Sequence, residues 1–437
     1  MTQAKIIILG AGITGLTTAL HLKKPFEVYE KEAEPGGLCR SRKKKGFTFD
    51  YSGHLLHFKD STVRNWLKTV AQDNLSCYFR DSSIYSHSRL IPFPFQVNTH
   101  SLPPQIIKEC VLGFIKATCN HASPKKNHHF KDWLQRTFGE GFTKHFFIPY
   151  NNKFWTVPVE DLSVDWIDGY IPVPTLEDVI EGAFGESKKV FGYNPQFWYP
   201  AKGGIEKIPL ALAKKIKEKI SLKHQAIKID YKKKIILFNN GLKKRYQKLI
   251  ITLPLIELKE MLLDLPLEIA EAFSKLRYTS ILNLNLGIEN VNLSEKHWIY
   301  FPEEKYSFYR IGFYNNFSTA SAPMGASSLY VESSYNPQGN INKEESKETI
   351  LHDLMGTASR FKHRIKDEDI IVKDWVDIKY AYIIYDKNYK KAISTIIQFL
   401  KEKEIYPAGR YGSWRYMSIE DSIVDGRRVA DEINTAK

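Results

Sequence analysis

Short apolar runs alternate with polar turns at the start of the chain. Lys5–Leu9 is a run of mostly β-branched residues, which is typical of a strand buried on both faces of a parallel sheet. Leu16–Lys23 follows as a predicted helix, and Phe26–Tyr29 is a second apolar run that ends at Glu30. The order strand, helix, strand predicts an α/β unit at this end of the chain.

Helical and strand patterns then separate along the chain. Residues 100–190 are mainly helical; within Pro104–Thr118 the apolar positions recur at helical spacing, at Ile106, Ile107, Cys110, Val111 and Phe114. Residues 276–387 favour strands, since leucines alternate with asparagines there, over Leu282, Asn283, Leu284, Asn285 and Leu286. An amphipathic helix over Ser346–Phe361 interrupts this second region.

Between these regions lies a predicted hairpin. Ala226–Asp230 and Ile235–Phe238 are short apolar runs, and Asn239-Asn240-Gly241 is a favourable hairpin turn. Gln247–Thr252 follows as a further strand.

The first turn carries a glycine motif. Gly10, Gly12 and Gly15 follow the first strand directly, and Glu30 ends the second. In this order the glycines permit a tight turn, a close approach of a pyrophosphate and close helix packing, while the acid accepts hydrogen bonds from a ribose. The motif predicts a dinucleotide-binding unit.

Chain length and net charge indicate the number of domains and the kind of binding partner to expect. The chain has 437 residues, enough for two or three domains. Its 63 Lys and Arg against 49 Asp and Glu give a net charge of +14, which favours anions such as phosphates and nucleotides. The lysine-rich runs lie far apart, without a zinc-finger or RNP-type motif, so no nucleic-acid partner is expected.

The cysteine content and the hydropathy of the chain indicate the cellular compartment in which the protein is expected. Four cysteines without a Cys-x-x-Cys pair predict neither a disulfide framework nor a metal site. No uncharged apolar run reaches the about 18 residues that a membrane span needs. Lys5–Ala19 has an alternative interpretation as a signal peptide, but cleavage there would remove the glycine motif. A cytoplasmic protein is therefore expected, and homo-oligomerisation stays open.

A second glycine pair indicates which dinucleotide is bound. Gly36-Gly37-Leu38, with Arg40 behind it, resembles the FAD-binding start of amine-oxidase-like flavoproteins, and Gly203-Gly204 resembles a later glycine pair of that family. The resemblance implies FAD rather than NAD. The implied FAD-binding residues are Gly10, Gly12, Gly15, Glu30, Gly36, Gly37, Leu38, Arg40, Gly53, His54, Ile227, Gly409 and Arg410.

Further segments resemble the UDP-galactopyranose mutases, especially the eukaryotic type. Asp50–His54 is similar to a Gly-Gly-His segment beside the isoalloxazine, with Ser52 in place of the first glycine. Pro92–Asn98 is similar to a segment that holds uracil, and Pro149–Pro158 to one that lines the substrate pocket. Four more similar segments follow in the family's order, at Trp298–Pro302, Phe308–Arg310, Tyr382 and Gly409–Tyr416.

The resemblance implies a reaction and its residues. In such mutases the N5 atom of reduced flavin attacks the anomeric carbon of a nucleotide sugar, and the sugar recloses as the other ring form, for polysaccharide precursors. NAD(P)H is a candidate reductant. The implied catalytic residues are His54, Tyr300, Arg310, Tyr382 and Tyr416. The implied substrate-binding residues are Phe95, Gln96, Asn151, Trp155 and Tyr170, together with Tyr300, Arg310, Tyr382 and Tyr416. Core packing is the alternative for the aromatic residues.

Two positions depart from the family pattern. By spacing, Tyr170 stands where these mutases have a second diphosphate arginine, and Phe317 where they have a further tyrosine. Arg277, or a lysine from elsewhere in the chain, is the expected replacement for the missing charge.

These patterns combine into one predicted architecture. We expect an α/β fold with a split, Rossmann-like FAD-binding domain over residues 1–95, 190–275 and 388–437. Residues 96–189 form a mainly helical insert and residues 276–387 an antiparallel-sheet substrate domain. Two alternatives to the mutase remain: an FAD-dependent oxidase or desaturase of an amine, porphyrinogen or polyene, and a flavin-binding protein without catalysis.

Overall fold

A five-stranded parallel sheet carries the first predicted strand at its centre. The computed structural model describes residues 6–119, 129–167, 169–187, 189, 191–192, 195–289, 293–358 and 365–435. In spatial order the strands of this sheet are Ile405–Pro407, Lys248–Ile251, Ile6–Leu9, Phe26–Tyr29 and Ile220–Ser221. All of Ile6–Leu9 is buried, as the apolar run predicts for a central strand.

Helices cover this sheet and extend beyond it. The first helix is Ile13–His21; it begins at Ile13 rather than Leu16, because the chain enters the helix directly after Gly12. The other helices of the described ranges are Ser61–Val70, Pro104–Cys119, Phe130–Phe142, Ile148–Trp155, Leu176–Phe184, Lys207–Lys214, Leu258–Met261, Leu267–Ser274, Lys343–Ala358, Tyr389–Glu402, Gly409–Gly412 and Ile419–Thr435.

The predicted helices and hairpin are largely confirmed. Pro104–Cys119 ends one residue beyond its predicted limit. Lys343–Ala358 begins three residues before Ser346, and the predicted end at Phe361 lies outside the described residues. Ala226–Asp230 and Ile235–Phe238 pair as predicted, and the turn at Gly241, with a φ of +81°, leads into a third strand, Lys243–Arg245.

A seven-stranded sheet forms the other large layer. Its strands, in spatial order, are Ile370–Ile384, Arg277–Ile288, Ser327–Tyr335, Arg310–Phe313, Trp298–Tyr300, Ser82–Ser86 and Arg89–Pro92. Neighbouring strands are antiparallel except for Trp298–Tyr300 and Ser82–Ser86, which are parallel. Residues 82–92 thus extend the sheet formed by the strands of 276–387, whereas they were expected within the FAD-binding segments.

Two strand pairs join the layers. Ser41–Lys44 pairs with Phe47–Asp50, and Leu75–Phe79 pairs with Gln196–Pro200. The alternating asparagines of Arg277–Ile288 do not face solvent: Asn283 donates to Asn285, and Asn285 donates to the Asp50 carbonyl at 3.1 Å. Because each amide nitrogen has an acceptor, these side chains can lie in the interior.

The buried carboxyl of Asp50 links several of these segments. It accepts hydrogen bonds from the Ser41 hydroxyl at 2.6 Å, the Tyr199 hydroxyl at 2.7 Å and the Ile205 N–H at 3.1 Å. Burial raises the pKa of Asp50 to about 7, with Glu206 adding to the increase, although these three donors oppose it.

This raised pKa predicts a specific pH dependence of stability. The folded protein keeps the Asp50 proton up to about pH 7, whereas the unfolded chain releases it near the usual 3.8. The contribution of Asp50 is therefore present at low pH and is lost as the pH rises through this window. We expect the melting temperature of Asp50→Asn, relative to the wild type, to increase as the pH rises from the unfolded to the folded pKa. A difference that is constant across these pH values would contradict this protonation state.

Candidate functional site

The first glycine turn leaves open space at Gly12. Gly10 has a φ of +102°, and a Cβ at Gly15 would lie 2.1 Å from the Gly10 carbonyl oxygen, so both positions require glycine. At Gly12 a Cβ would approach the Gly37 Cα only to 3.9 Å. The helix that begins here has no side-chain cap and no acid in its first turn. Its N-terminus is therefore suited to an anion.

The second glycine turn closes the same space. The Gly36 N–H donates to the Ala11 carbonyl at 2.8 Å, and Gly36 forms a parallel bridge with Gly12. Gly37 has a φ of +58°, and its carbonyl accepts from Arg40 Nε at 2.9 Å. The two turns thus form one cradle around Gly12, and this cradle fits the pyrophosphate of FAD.

Glu30 holds the backbone of the cradle in place through hydrogen bonds. Its carboxylate is buried and accepts from the Ala11 N–H at 2.7 Å and the Glu32 N–H at 3.0 Å. A carboxylate has further acceptor sites, so a ribose contact is compatible with these bonds. Ile227, one of the implied FAD-binding residues, is 39% exposed at a bulge of the hairpin, and Leu38 packs against a buried cluster that includes Tyr309 and Ile281.

Arg410 lies between the cradle and the seven-stranded sheet. Its two Nη groups donate to the Met417 carbonyl at 3.1 Å and the Ala381 carbonyl at 2.7 Å. Its Nε is buried without a hydrogen-bond acceptor among the described residues. Gly409 has a φ of +75° and lies against Thr14 of the first helix. An orphaned buried donor beside the cradle is what a flavin ring would satisfy, so the residues fit FAD.

Gly53 and His54 lie against the same space. A Cβ at Gly53 would lie 2.4 Å from the Tyr330 hydroxyl oxygen, so the tyrosine ring requires glycine there. His54 Nδ1 lies 3.1 Å from the Ser52 carbonyl, which makes Nδ1 the protonated nitrogen of a neutral ring. Burial lowers the pKa of His54 to about 4, despite the Ser52 carbonyl, so the ring is neutral at pH 7.

A row of three side chains crosses the large sheet towards this region. Tyr300 stands opposite Arg310, and Arg310 stands opposite Glu332, on successive antiparallel strands. The Arg310 Nε donates to the fully buried Glu332 carboxylate, which also accepts from the Ser52 hydroxyl and the Gly53 N–H. Glu332 therefore fixes the direction of the Arg310 guanidinium.

The pKa values of this pair indicate that both groups are charged. Burial alone would raise the pKa of Glu332, but Arg310 and the Ser52 and Gly53 hydrogen bonds outweigh it and hold the pKa below its usual value. Burial likewise opposes the charge on Arg310, whereas Glu332 raises its pKa. The positive charge of Arg310 is thus already balanced by one carboxylate.

An aromatic pocket with a cavity volume of about 200 Å³ opens beside Tyr300. Among the described residues, its lining includes few polar side chains and no lysine or arginine. The lining residues are Phe93, Gln96, Phe146, Phe147, Tyr150, Asn151, Phe154, Trp155, Trp166, Tyr170, Ile171, Pro172, Tyr300 and Tyr416. Six of the predicted substrate residues are therefore brought together on one surface: Gln96, Asn151, Trp155, Tyr170, Tyr300 and Tyr416.

Phe95 is placed differently from the expected uracil-stacking position. It is fully buried, stacks on Phe146 with 4.9 Å between ring centres, and is not among the lining residues. Phe93, two residues earlier, lines the pocket instead. The Gln96 Nε2 donates to the Pro172 carbonyl at 2.7 Å, so its Oε1 is the atom available to a ligand.

Tyr382 lies behind the pocket wall. Its ring packs on Phe154 with 4.2 Å between ring centres and stacks on Tyr416 at 6.3 Å. The Arg410 guanidinium lies 5.2 Å from the Tyr382 ring centre and 4.6 Å from that of Tyr416. Tyr382 and Arg310 are thus close to the pocket without being part of its lining.

Lys153 anchors the hairpin that carries Tyr300 and Arg310. Its ammonium donates to three backbone carbonyls of the connecting loop, those of Phe301, Glu303 and Phe308. Lys153 lies on the helix Ile148–Trp155, which also carries Asn151 and Trp155. One half-buried lysine therefore ties two walls of the pocket together.

Arg277, the expected replacement for the missing arginine, is not among the residues that line the pocket. The Arg277 Nη1 lies 3.6 Å from Asp386 Oδ2, in an ion pair on another strand end. Phe317 is buried against Tyr199, with 4.9 Å between ring centres, and belongs to the core.

The comparisons with known proteins agree with this geometry. The sequence model of the flavin-containing amine oxidoreductases matches residues 13–434. The chain belongs to this family. It is therefore a flavoprotein, and its α/β fold with a split FAD-binding unit is the fold predicted from the sequence.

Solved structures show which flavoproteins have a fold similar to that of this chain. A crystal structure of reduced UDP-galactopyranose mutase superimposes with a TM-score of 0.90 at 28% identity, covering 99% of this chain and 95% of that one. A protein from Exiguobacterium assigned as a protoporphyrinogen oxidase gives 0.75 at 14% identity, and cyclohexylamine oxidase from Brevibacterium oxydans gives 0.68 at 13%; each match covers 99% of both chains. The chain is thus a flavoprotein similar to UDP-galactopyranose mutase.

Sequence reasoning about this flavoprotein missed Glu332 and Lys153. Glu332 is an acid that directly follows the apolar run Leu329–Val331, which is a signal for a buried ion pair. Its partner, however, depends on the register of the sheet. Lys153 lies within the segment Pro149–Pro158, but nothing in the local sequence distinguishes it from a surface lysine.

Other features of the described residues are structural. All four cysteines are free thiols. Within the described ranges, no helix combines the length and hydrophobicity needed to cross a membrane. The same ranges hold no group of His, Cys, Asp and Glu arranged to bind a metal ion.

Proposed function

We propose that the protein is an FAD-dependent nucleotide-sugar mutase that interconverts pyranose and furanose forms. The observation that carries the proposal is the row Tyr300, Arg310 and Glu332, in which a guanidinium fixed by Glu332 stands opposite Tyr300 of the pocket lining. The likeness to reduced UDP-galactopyranose mutase over nearly the whole of both chains supports it.

In this proposal the pocket binds the nucleotide. The Gln96 Oε1 accepts the N–H of the base, and Asn151 and Trp155 line the same surface. Arg310, together with the hydroxyl groups of Tyr300, Tyr382 and Tyr416, holds the diphosphate as it leaves the sugar. Charge-assisted hydrogen bonds of this kind stabilise a departing anion most strongly where water is excluded.

The flavin, when bound in its reduced form, supplies the nucleophile of the reaction. Residues of this chain would hold it: Gly12 leaves room for the pyrophosphate, the Arg410 Nε is a donor that the ring would satisfy, and the neutral His54 would lie beside the ring. In this proposal NAD(P)H reduces the flavin, and the product is a precursor of a polysaccharide. We also propose the division into a split FAD-binding domain, a helical insert and an antiparallel-sheet domain, with residues 82–92 assigned to the sheet domain.

The test is an assay of ring interconversion. The purified holoenzyme is reduced anaerobically and incubated with UDP-, GDP- and dTDP-sugars, and the nucleotide sugars are separated by chromatography. We expect one substrate to yield its furanose or pyranose isomer without net oxidation. No isomer from any substrate in this panel would contradict the proposal.

An oxidase is the second candidate, since ten of the fourteen residues that line the pocket are aromatic. Such a surface also suits an apolar amine or porphyrinogen. Oxygen consumption with substrates of these classes, and no ring interconversion, would favour the oxidase.

A further inference from the structure

The helix Ile148–Trp155 packs on the ends of two neighbouring strands of the large sheet. Its Tyr150 ring meets that of Tyr300 edge-on, with 5.6 Å between ring centres, and its Phe154 ring meets that of Tyr309 edge-on at 5.2 Å. Burial of apolar surface is not directional. A further interaction is therefore needed to set the position of the two strand ends along the helix.

Lys153 supplies that interaction from the same helix. Its ammonium donates to the carbonyls of Phe301 and Phe308, at 2.8 and 3.2 Å, and to a third carbonyl between them at 2.5 Å. Phe301 directly follows Tyr300, and Phe308 lies two residues before Arg310. One ammonium thus joins the ends of both strands to the helix that lines the pocket.

Three carbonyl acceptors require the protonated form of the lysine. An ammonium has three N–H donors, whereas a neutral amine has two and a lone pair, which a carbonyl oxygen repels. Burial lowers the pKa of Lys153 to about 7, although nearby carboxylates oppose this decrease. In the folded protein, loss of the proton therefore takes place around neutral pH and leaves one of the carbonyls without its donor.

The carboxylates that face Lys153 come from two elements. They are Glu303 and Glu304 of the loop and Asp353 of the helix Lys343–Ala358. Glu303 also pairs with Lys305 at 3.3 Å, and the His87 ring faces it from another turn. The carboxylates favour the ammonium, so they keep the proton on Lys153 up to neutral pH in spite of its burial.

We propose that protonated Lys153 is a positioning residue for the diphosphate of the substrate, because it holds Tyr300 and Arg310 at the pocket, and that nucleotide sugars bind less tightly once this proton is lost. Lys153 acts through the two strand ends and is not among the described residues that line the pocket. The proton passes to the solvent, and no bond to the ligand is made or broken. This inference rests on the proposed function, because it presupposes a nucleotide ligand.

The pH dependence of binding tests the role of Lys153. Calorimetry measures the affinity of the holoenzyme for UDP-, GDP- and dTDP-sugars, and for their nucleosides, from about pH 6 to about pH 8.5. The diphosphate of a nucleotide sugar has no proton to lose in this range. We expect the affinity for the preferred nucleotide sugar to fall by about fivefold to tenfold as the pH rises through 7. The affinity for its nucleoside should stay constant.

Three variants identify the group that loses the proton. Lys153→Met should bind the nucleotide sugar weakly at every pH, and Lys153→Arg tightly at every pH, because a guanidinium stays charged. The fall with pH should be absent from both. Lys248→Met is the matched control, since Lys248 is half-buried and donates to Glu404 and the Tyr406 hydroxyl at the amino end of its strand, away from the FAD cradle. It should bind as the wild type does.

The outcomes separate this inference from the proposed function. Wild-type affinity for a nucleotide sugar that is constant over the whole pH range would overturn the role of Lys153 without any variant. Asp50 also has a pKa of about 7, but it is present in every variant. A fall that persists in both Lys153 variants would therefore belong to another group and overturn the role.

Equal weakening of nucleotide sugar and nucleoside in Lys153→Met would also overturn it, since the lysine would then support the pocket as a whole. A wild type that binds none of the nucleotide sugars at any pH would overturn the proposed function and this inference with it.

Discussion

Replacing Arg310 by alanine is expected to lower kcat/KM for the nucleotide sugar by about a thousandfold while the flavin content stays near that of the wild type. The guanidinium is aimed by Glu332 and lies on the sheet, apart from the glycine turns that hold FAD. The same change removes the cation that balances the fully buried carboxylate of Glu332. We therefore expect a loss of stability of about 3–5 kcal/mol as well.

A double variant separates the two effects of Arg310. In Arg310→Met with Glu332→Gln, neither charge remains, so no unpaired carboxylate is left buried in the sheet. We expect the melting temperature to recover towards that of the wild type, and kcat/KM to remain low. Recovery of activity in the double variant, or wild-type kinetics in Arg310→Ala, would remove Arg310 from the site.

Replacing Gly12 by valine is expected to abolish most FAD binding without unfolding the apoprotein. A Cβ at Gly12 has room in the protein, whereas the same atom at Gly15 would lie 2.1 Å from a carbonyl oxygen. The valine side chain would instead occupy the space intended for the pyrophosphate. We expect FAD affinity to fall by about 100-fold or more, as measured by flavin absorbance per polypeptide and by titration of the apoprotein.

Two variants control for the effect of a new side chain. Gly15→Val should fail to fold, because the obstacle is backbone. Gly185→Val, at a glycine of extended backbone with no neighbour within 4 Å of its added Cβ, should bind FAD normally. Full flavin loading of Gly12→Val would show that the pyrophosphate lies elsewhere.

Local sequence patterns were sufficient to predict those strands, turns and helices whose own residues determine their conformation. The strand Ile6–Leu9, the glycine turn and the helix Pro104–Cys119 follow from β-branched runs, glycine spacing and apolar periodicity. The burial of Asn283 and Asn285 could not be predicted in this way. Both look like solvent-facing residues until the acceptors of their amide groups are known. Polarity in a sequence does not distinguish a solvated amide from a paired one.

The candidate site was predictable only through resemblance. Motif similarity led to Gln96, Asn151 and Arg310, but the register that sets Glu332 opposite Arg310 is a property of the folded sheet. Likewise, Lys153 is far along the chain from Phe301, Glu303 and Phe308, whose carbonyls it contacts, and no spacing rule relates them. Chemistry that depends on long-range pairing needs the structure.

The anchoring of the hairpin loop by Lys153 has a consequence for ligand capture. Because three carbonyls of that loop are held by one ammonium, the strand ends at Tyr300 and Arg310 are ordered when the protein folds. The conformational entropy of fixing this arginine is therefore lost before any ligand arrives, and does not reduce affinity. A ligand that binds on this side of the pocket therefore meets strand ends that need no further ordering.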